Sequence, residues 1–191
     1  MFNKVLESIK KVGQYVLEWV VDAFLKFKKL AGIGTGLPYS KSIITPSMVS
    51  QELPMSCGPA CTRQLLKDAG LDISEEMIRT LSKFNPKFGT QASDLAYALN
   101  KLFKQENLYQ GGGVELEAFN ALVNRGSWIA RVKLSTCPHF VIVDGIKDDK
   151  VLIRDPWSSH SPGSGNGLAC EIDIEVFKEY WRRGIHQVVF K

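Results

Sequence analysis

The amino-acid sequence predicts an α+β fold, with helices in its first half and antiparallel strands in its second. Up to about residue 124, apolar residues recur at helical spacing in segments bounded by glycine, proline or a capping residue. From residue 128 onward, apolar runs rich in β-branched residues alternate with short turns, which is typical of hairpins. A chain of 191 residues with 45% hydrophobic residues can form one ordinary core and an extension.

The extension covers residues 1–31, and its pattern predicts one amphipathic helix. Apolar residues recur there every three or four positions, with charged residues between them. Its lysines outnumber its acidic residues and give it +3 of the chain's formal net charge of +4. It has neither an uncharged run long enough to span a bilayer nor a signal-peptide pattern. We therefore expect this helix to pack on its own domain, on a partner or on a membrane surface.

Glycine and proline between residues 32 and 44 predict a flexible linker, so the main domain should cover residues 45–191. After the extension's +3 is taken away, the rest of the chain carries only +1. Neither a basic excess nor a recognition motif points to nucleic acid, so we expect no nucleic-acid partner.

The elements of the main domain are expected in a fixed order. The predicted helices cover residues 57–69 and 74–83, a segment beginning at Thr90 or Ser93, residues 115–124 and residues 174–183. The predicted strands cover residues 128–134, 139–146, 151–154, 168–172 and 185–190, with glycine-containing loops at 111–113 and 158–167.

Cys57 stands where the first of these helices begins, and Gly58 and Pro59 follow it. Proline suits a first helical turn, because its missing N–H would have no partner there. The positive end of the helix macrodipole and the unpaired N–H groups favour thiolate over thiol, and the same groups can hold an oxyanion. Gln51, six residues upstream, carries an amide that can act as a second donor.

The helix terminus alone cannot activate this thiol. Lowering a thiol pKa from about 8.5 to about 4 requires roughly 6 kcal/mol, and a helix terminus supplies at most about 2 kcal/mol. A cationic partner must supply the rest, and histidine is the usual one. Of His139, His160 and His186, only His139 begins an apolar strand, and the other two show no sign of a partner.

The hairpin that follows His139 offers it a carboxylate. A turn at residues 147–150 brings the second strand back, so Asp155 at its end should lie near His139 and orient the imidazole. Asp144 is nearer in sequence, but its odd offset along the same strand places it on the opposite face. If the loop register differs by one residue, Asp144 takes the orienting role instead.

Together these residues form a spaced pattern: Gln51, Cys-Gly-Pro-Ala-Cys from Cys57, Pro-His-Phe-Val around His139, and Asp-Pro from Asp155. The pattern, over about residues 45–190, resembles the papain-like cysteine peptidases of the bacteriocin-processing, double-glycine-leader type. The resemblance implies a helical half packed on a C-terminal antiparallel sheet. It also implies Cys57 as nucleophile, His139 as base, Asp155 as orienting residue and Gln51 as oxyanion donor.

The chain departs from that family in two respects. Ser56 stands where the family has an acidic residue just before the cysteine. The best-known members are fused to membrane transporters, whereas this sequence shows no membrane span. Both departures bear on the substrate more than on the chemistry.

Gly58 and Trp157 are candidate substrate-binding residues, although we expect Trp157 mainly to shield the histidine–aspartate contact from water. No cofactor or metal site is expected, because no cysteine pair has Cys-x-x-Cys spacing. We expect Cys57 and Cys61 to be free thiols in a reducing compartment, with Cys61 one turn deeper in the core.

The predicted chemistry leaves three classes of function. The first is a cysteine peptidase that hydrolyses a peptide bond through a thioester of Cys57. The second is a bacterial toxin or effector domain of papain-like fold, which acts on a target-cell protein by proteolysis or glutamine deamidation. An inhibitory immunity protein at the cleft would be its partner. The third is an inactive binding module, which the complete triad argues against. The expected location is the bacterial cytoplasm or, after delivery, a target cell.

Overall fold

The structure is a computed structural model that describes residues 37–105, 108–112, 126–134, 137–157, 166–181 and 187–190. The helix predicted over residues 1–31, the start of the linker and the helix predicted over residues 115–124 lie outside the described residues. No helix among the described residues is long and apolar enough to cross a membrane.

The described residues form an antiparallel sheet with helices, as the sequence predicts. The helices are α1 (Cys57–Asp68), α2 (Glu75–Leu81), α3 (Ala92–Phe103) and α4 (Ile174–Tyr180). The strands are β1 (Lys41–Val49), β2 (Tyr109–Gly112), β3 (Trp128–Lys133), β4 (Pro138–Lys147), β5 (Lys150–Asp155), β6 (Asn166–Asp173) and β7 (Gln187–Phe190). They lie in the order β1-β6-β5-β4-β3-β7-β2, so the hairpin β4–β5 is central.

The β4–β5 hairpin closes through a two-residue loop. Asp148 and Asp149 both have positive φ, at 49° and 58°, as a type I′ turn requires, and aspartate tolerates that conformation better than most residues. The loop fixes a register in which Lys147 pairs with Lys150 and, beyond a bulge, Ile142 pairs with Arg154. Asp155 therefore lies beside Val141, on the same face of the sheet as His139.

The sheet has a buried cluster on each face. Phe140 and Ile142 of β4 contribute to the cluster under α1 and α3, whereas Val141 and Val143 contribute to the cluster that includes Phe177 of α4. This alternation follows from the two-residue period of a strand. It explains why β4 reads as a continuous apolar run, because neither face of the strand meets water.

One predicted loop is a strand. Gly111 and Gly112 belong to β2, which pairs with β7, so the loop predicted over residues 111–113 is wrong for these two residues. The side chain of Asn100 holds the strand, since it bonds both the N–H and the C=O of Tyr109, at 2.7 and 2.9 Å. A Cβ on Gly111 would lie 2.4 Å from the nitrogen of Ser93. Glycine is present here for close approach to α3 and not for turn formation.

The predicted linker ends earlier than residue 44. Strand β1 begins at Lys41, which pairs with Glu171 of β6, so residues 41–44 belong to the sheet. Leu37 is buried in the cluster on the α4 face. The sequence misses this strand because its partner, β6, lies more than 120 residues away along the chain. The division into extension, linker and main domain stays a prediction, with the main domain beginning no later than Leu37.

Gly167 also departs from its prediction, because it lies buried in β6 and not in a loop. A Cβ there would lie 2.5 Å from the carbonyl oxygen of Asp155 and from Cγ of Met48. Replacing Gly167 with alanine should therefore lower the free energy of unfolding by about 1–3 kcal/mol, as overpacking does. Urea titration measures the loss.

Gly58→Ala is the matched control. Its Cβ would meet the flexible end of Leu95 at 2.8 Å, and alanine gains about 1 kcal/mol of helix propensity in return. It should cost less than Gly167→Ala. An unfolding midpoint for Gly167→Ala equal to that of the unmodified protein would show that β6 and β5 lie further apart than described.

Candidate active site

Cys57 is the first residue of α1, as predicted, and only 8% of it is exposed. Ser56 precedes it at the N-cap, but its hydroxyl faces the loop instead of the helix. It accepts from the N–H of Leu53 and donates to the carbonyl of the same residue, at 2.9 and 3.0 Å. The first-turn N–H groups around Cys57 are therefore not capped by this side chain and remain free to face an anion.

His139 and Asp155 meet in the buried interior. The ring Nε2 of His139 lies 2.8 Å from Oδ1 of Asp155, and the two side chains are 1% and 0% exposed. This is the contact that the hairpin predicts. Because Nε2 is engaged with the carboxylate, Nδ1 is the ring nitrogen left to interact with Cys57. His139 thus lies between Cys57 and Asp155 in the order of interactions.

The surroundings of His139 favour its protonated form. Burial lowers its pKa, but the charges of Asp155 and Cys57 and its hydrogen bonds to both raise it, to about 10. A histidine that stays protonated well above neutral pH is the cationic partner that the thiol needs. The site can therefore hold His139 as an imidazolium, with Asp155 stabilising its charge.

Two further groups donate to Asp155. The backbone N–H of Trp157 donates to Oδ1 at 2.8 Å, which closes an Asx turn over Pro156. The hydroxyl of Tyr39 donates to Oδ2. The indole of Trp157 meets the His139 ring edge-on, with centroids 6.2 Å apart, so it covers the contact as expected.

Asp144 lies on the other face of β4 and has a different partner. Its carboxylate forms a two-pronged ion pair with Arg154, at 2.7 and 2.8 Å, and accepts from the hydroxyl of Ser127 at 2.6 Å. Arg154 also pairs with Asp68 at the end of α1, at 2.7 Å. Arg154 therefore links α1 to the sheet, and Asp144 holds Arg154 instead of orienting His139.

Gln51 lies fully buried beside the nucleophile loop, but its amide is occupied. Nε2 donates to the carbonyls of Leu53 and Pro54, at 2.8 and 2.9 Å. The backbone N–H of Gln51 donates to the carbonyl of Pro156 at 2.9 Å, which joins this loop to the segment after Asp155. The structure thus places Gln51 between the two halves of the site, with its donors turned to the loop.

Glu75 is a buried carboxylate that the sequence did not single out. It is the first residue of α2 and accepts from the N–H of Glu52 and from Arg79, the latter at 2.7 Å. Burial raises its pKa, although hydrogen bonds from Ser56 and Arg79 act against the rise. A carboxylate from another helix therefore reaches Ser56, the position where the resembling family has an acid. An acidic residue in a first helical turn is common, so no local signal marked it.

The two candidate substrate-binding residues have different surroundings. The missing side chain of Gly58 faces the core, where a Cβ would meet Leu95 and Phe140, at 2.8 and 3.2 Å. Its glycine is thus explained by packing, and only its backbone can reach a substrate. Trp157 is half-buried over His139, where its ring can border the cleft as well as shield the histidine.

Cys61 and Cys170 are buried thiols that are not poised to react. All four cysteines are free thiols, and Cys61 is fully buried, as expected, with its Sγ 3.5 Å from the carbonyl of Phe140. Burial, aided by the charges of Cys57 and Asp155, raises the pKa of Cys61 well above its usual range. Burial likewise raises the pKa of Cys170. His160 and His186 lie outside the described residues.

Comparison with known proteins places this site in a family. The family model described as "Peptidase C39 family" matches residues 46–185, which is most of the chain. The chain belongs to the peptidase C39 family. It is a cysteine peptidase with the papain-like fold, as the spaced pattern and the α+β order predicted.

Solved structures of the same fold agree with this assignment. The peptidase domain of Streptococcus ComA, a bi-functional ABC transporter, has a TM-score of 0.55 and 23% identity, covering 75% of this chain and 97% of that one. A double glycine motif protease from an AMS/PCAT transporter, solved with its leader peptide, has a TM-score of 0.54 and 19% identity, covering 80% and 94%. At such identities the likeness establishes the fold.

A curated relative is named cysteine protease effector 1, from Escherichia coli O1:K1:H7. It is 27% identical over 153 residues, which cover 78% of this chain. The matched region spans only 28% of the relative's length. The likeness therefore concerns one part of that protein.

Replacing Asp155 with alanine should weaken His139 as a cation, whereas Asp144→Ala should not. Without the Asp155 charge the His139 pKa falls from about 10, so the alkaline limit of kcat/KM should move to lower pH. The alkylation rate of Cys57 at neutral pH should fall by at least about tenfold, because less thiolate forms. The measurement is the pH dependence of both rates.

Asp144→Ala is the matched control, since it removes a carboxylate from the same strand. It should leave both pH profiles in place and lower the free energy of unfolding by about 1–3 kcal/mol, because Arg154 loses a partner. If Asp144→Ala changed the alkylation profile more than Asp155→Ala, the orienting role of Asp155 would be refuted.

Proposed function

We propose that the chain hydrolyses a peptide bond with Cys57 as nucleophile, His139 as general base and acid, and Asp155 as the residue that orients His139. The observation that carries this proposal is the buried contact of His139 with Asp155 at 2.8 Å, beside a Cys57 close enough to help raise the His139 pKa. His139 and Asp155 lie on the β4–β5 hairpin, which explains why they meet, but Cys57 lies on α1 and no local feature brings it to them. A shared function explains that meeting.

The proposed reaction proceeds through a thioester. The Cys57 thiolate attacks the carbonyl carbon, and the C=O electron pair moves to oxygen, where the first-turn N–H groups of α1 stabilise the oxyanion. As the carbonyl reforms, the C–N bond breaks and the His139 imidazolium gives its proton to the leaving amine. Water then attacks the thioester while His139 takes its proton, which releases a carboxylate and restores the thiolate. Asp155 accepts a hydrogen bond throughout and takes no proton.

The proposed substrate is an extended peptide segment with small residues before the scissile bond. Cys57 and His139 are 8% and 1% exposed, so the carbonyl must approach through a narrow opening bordered by Trp157. Glycine residues pass such an opening without a side chain to clash. The double glycine motif of a structural neighbour's substrate class supports the same preference.

A second candidate function places this peptidase activity in an effector delivered into a target cell. The likeness to cysteine protease effector 1 supports it. In this form the substrate is a target-cell protein, an immunity protein covers the cleft in the producing cell, and residues 1–31 contact a partner or a membrane surface. A chain break in the target protein supports proteolysis, whereas conversion of glutamine to glutamate without a break would support deamidation.

Cys57→Ala should reduce peptide hydrolysis to the uncatalysed level while the fold stays intact. The nucleophile is lost, but alanine suits a helix start and fills most of the same space, so the free energy of unfolding should change by less than about 1 kcal/mol. The assay uses a peptide library rich in Gly-Gly segments, with cleavage read by mass spectrometry. In the unmodified protein, iodoacetamide should label Cys57 before the other cysteines.

Cys137→Ala is the matched control, because Cys137 is the least buried of the four thiols. It should keep both hydrolysis and labelling of Cys57. Hydrolysis by Cys57→Ala at the unmodified rate, with Cys61 labelled first, would refute the proposed nucleophile.

Gln51→Ala tests the proposed oxyanion donor. We propose that the amide exchanges one of its loop carbonyls for the oxyanion when substrate binds. Losing one such donor lowers kcat by about 10²–10³, with KM little changed. Alkylation by iodoacetamide forms no oxyanion, so its rate at Cys57 should change by less than about threefold.

The alternative is that Gln51 only anchors the loop through Leu53 and Pro54. In that case Gln51→Ala would displace Cys57 and lower the alkylation rate and kcat together. Gln51→Glu serves as the second variant, since it keeps the size but sets a negative charge beside the oxyanion. A kcat for Gln51→Glu above that of Gln51→Ala would contradict the donor role.

A further inference from the structure

We propose that Tyr39 is a positioning residue of this site, which holds Asp155 and through it His139. This inference rests on the proposed function, since it assigns Tyr39 a role in the same triad. The hydroxyl of Tyr39 donates to Oδ2 of Asp155, across 116 residues of sequence. Tyr39 lies just before β1, in the stretch that the sequence assigned to a flexible linker.

The chemistry of Asp155 explains why a donor at Oδ2 matters. The carboxylate is fully buried, and its Oδ1 already receives His139 and the N–H of Trp157. Because both of these donors bind the same oxygen, Oδ2 would otherwise be unrestrained. Rotation of the carboxylate about its Cβ–Cγ bond would then turn Oδ1 away from the His139 ring. A hydrogen bond to Oδ2 from a different direction fixes that rotation, and it also satisfies a buried anionic oxygen.

The backbone around Tyr39 holds it in place for this task. Its N–H donates to the carbonyl of Leu37 at 3.0 Å, and Leu37 is buried in the core. The next residue, Ser40, bonds the carbonyl of Glu171 twice, through N–H at 2.8 Å and through its hydroxyl at 2.7 Å. Tyr39 is therefore held on one side by the buried Leu37 and on the other by the bonds of Ser40 to β6, and its hydroxyl also contacts Cys170. Such fastening is what distinguishes a positioning residue from a passing surface contact.

The structure gives Tyr39 an effect on catalysis without contact to substrate. It touches Asp155 on the side away from His139, so its removal should loosen the orientation of the imidazole and leave substrate binding unchanged. We expect Tyr39→Phe to lower kcat by about tenfold, the effect of one hydrogen bond to a charged group, with KM little changed.

The test uses the full chain with Tyr39→Phe and the matched control Tyr97→Phe. Tyr97 is 53% exposed on α3, so its hydroxyl should be dispensable. Two readouts are taken: kcat and KM on a Gly-Gly peptide, and the pH dependence of iodoacetamide alkylation at Cys57. Tyr39→Phe should lower the alkylation rate at neutral pH and move the alkaline limit of kcat/KM to lower pH. The shift should go in the direction of Asp155→Ala and be smaller.

A double-mutant cycle separates this role from a merely structural one. If Tyr39 acts through Asp155, Tyr39→Phe should have no further effect on kcat in an Asp155→Ala background. An equal loss in both backgrounds would overturn the inference, as would unchanged or upward-shifted pH limits in Tyr39→Phe. Cys170→Ala guards against a packing effect. It disturbs the same neighbourhood but keeps the Tyr39–Asp155 bond, so the alkylation profile should stay in place, and a profile like that of Tyr39→Phe would overturn the inference.

The outcomes also separate this inference from the proposed function. Hydrolysis that survives Cys57→Ala refutes the proposed function, whatever Tyr39→Phe does. Loss of hydrolysis in Cys57→Ala, together with a Tyr39→Phe protein indistinguishable from the unmodified one, refutes the Tyr39 role alone.

Discussion

The register of the β4–β5 hairpin is the constraint on which the rest of the site depends. The two-residue loop at Asp148 and Asp149 fixes which residues of the two strands are paired. The two-residue period of a strand then decides on which face of the sheet each side chain lies. A slip of one residue would turn Asp155 to the α1 face and leave His139 without its carboxylate. The same slip would separate Arg154 from Asp144. The register therefore brings Asp155 to His139 and Asp144 to Arg154.

The buried ion pair of His139 and Asp155 requires hydrogen-bond partners from the surrounding chain. An imidazolium and a carboxylate that are 1% and 0% exposed are costly to desolvate, so each must be supplied with donors and acceptors. For Asp155 these come from His139, from the Trp157 backbone and from Tyr39. That set draws on β4, on the turn after β5 and on the chain before β1. The buried pair therefore depends on the chain before β1 as well as on the β4–β5 hairpin.

The sequence predicts the parts of this molecule that local patterns determine. Cys57 at a helix start, the helix predicted from residue 74 and the β4–β5 hairpin each follow from neighbouring residues, and the structure confirms all three. The contact between His139 and Asp155 follows as well, because a tight hairpin converts sequence spacing into distance. The spaced pattern then identifies the family, which composition alone could not do.

The missed features all depend on partners that are distant in sequence. Glu75 looks like an ordinary first-turn acid until the loop before Cys57 folds against it, and Gly111 looks like a loop residue until β2 meets α3. Tyr39 follows a glycine-rich stretch, yet β6 fixes it in place. Each long-range contact offsets the entropy cost of closing a loop, and the local sequence propensity carries no sign of it.

Glu75 supplies a buried carboxylate next to Ser56, where the resembling family has an acidic residue. Ser56 is neutral, but the Glu75 carboxylate reaches it from α2, so a buried acidic group still borders the nucleophile loop. Because Arg79 pairs with both Glu75 and Glu52, the charge is balanced in a small network outside the cleft. An acid held this way can stabilise the loop. Because its charge is balanced by Arg79, it adds no uncompensated negative charge near Cys57, and such a charge would oppose formation of an oxyanion. The Glu75 carboxylate thus holds the loop before Cys57 from α2, through the N–H of Glu52 and the hydroxyl of Ser56.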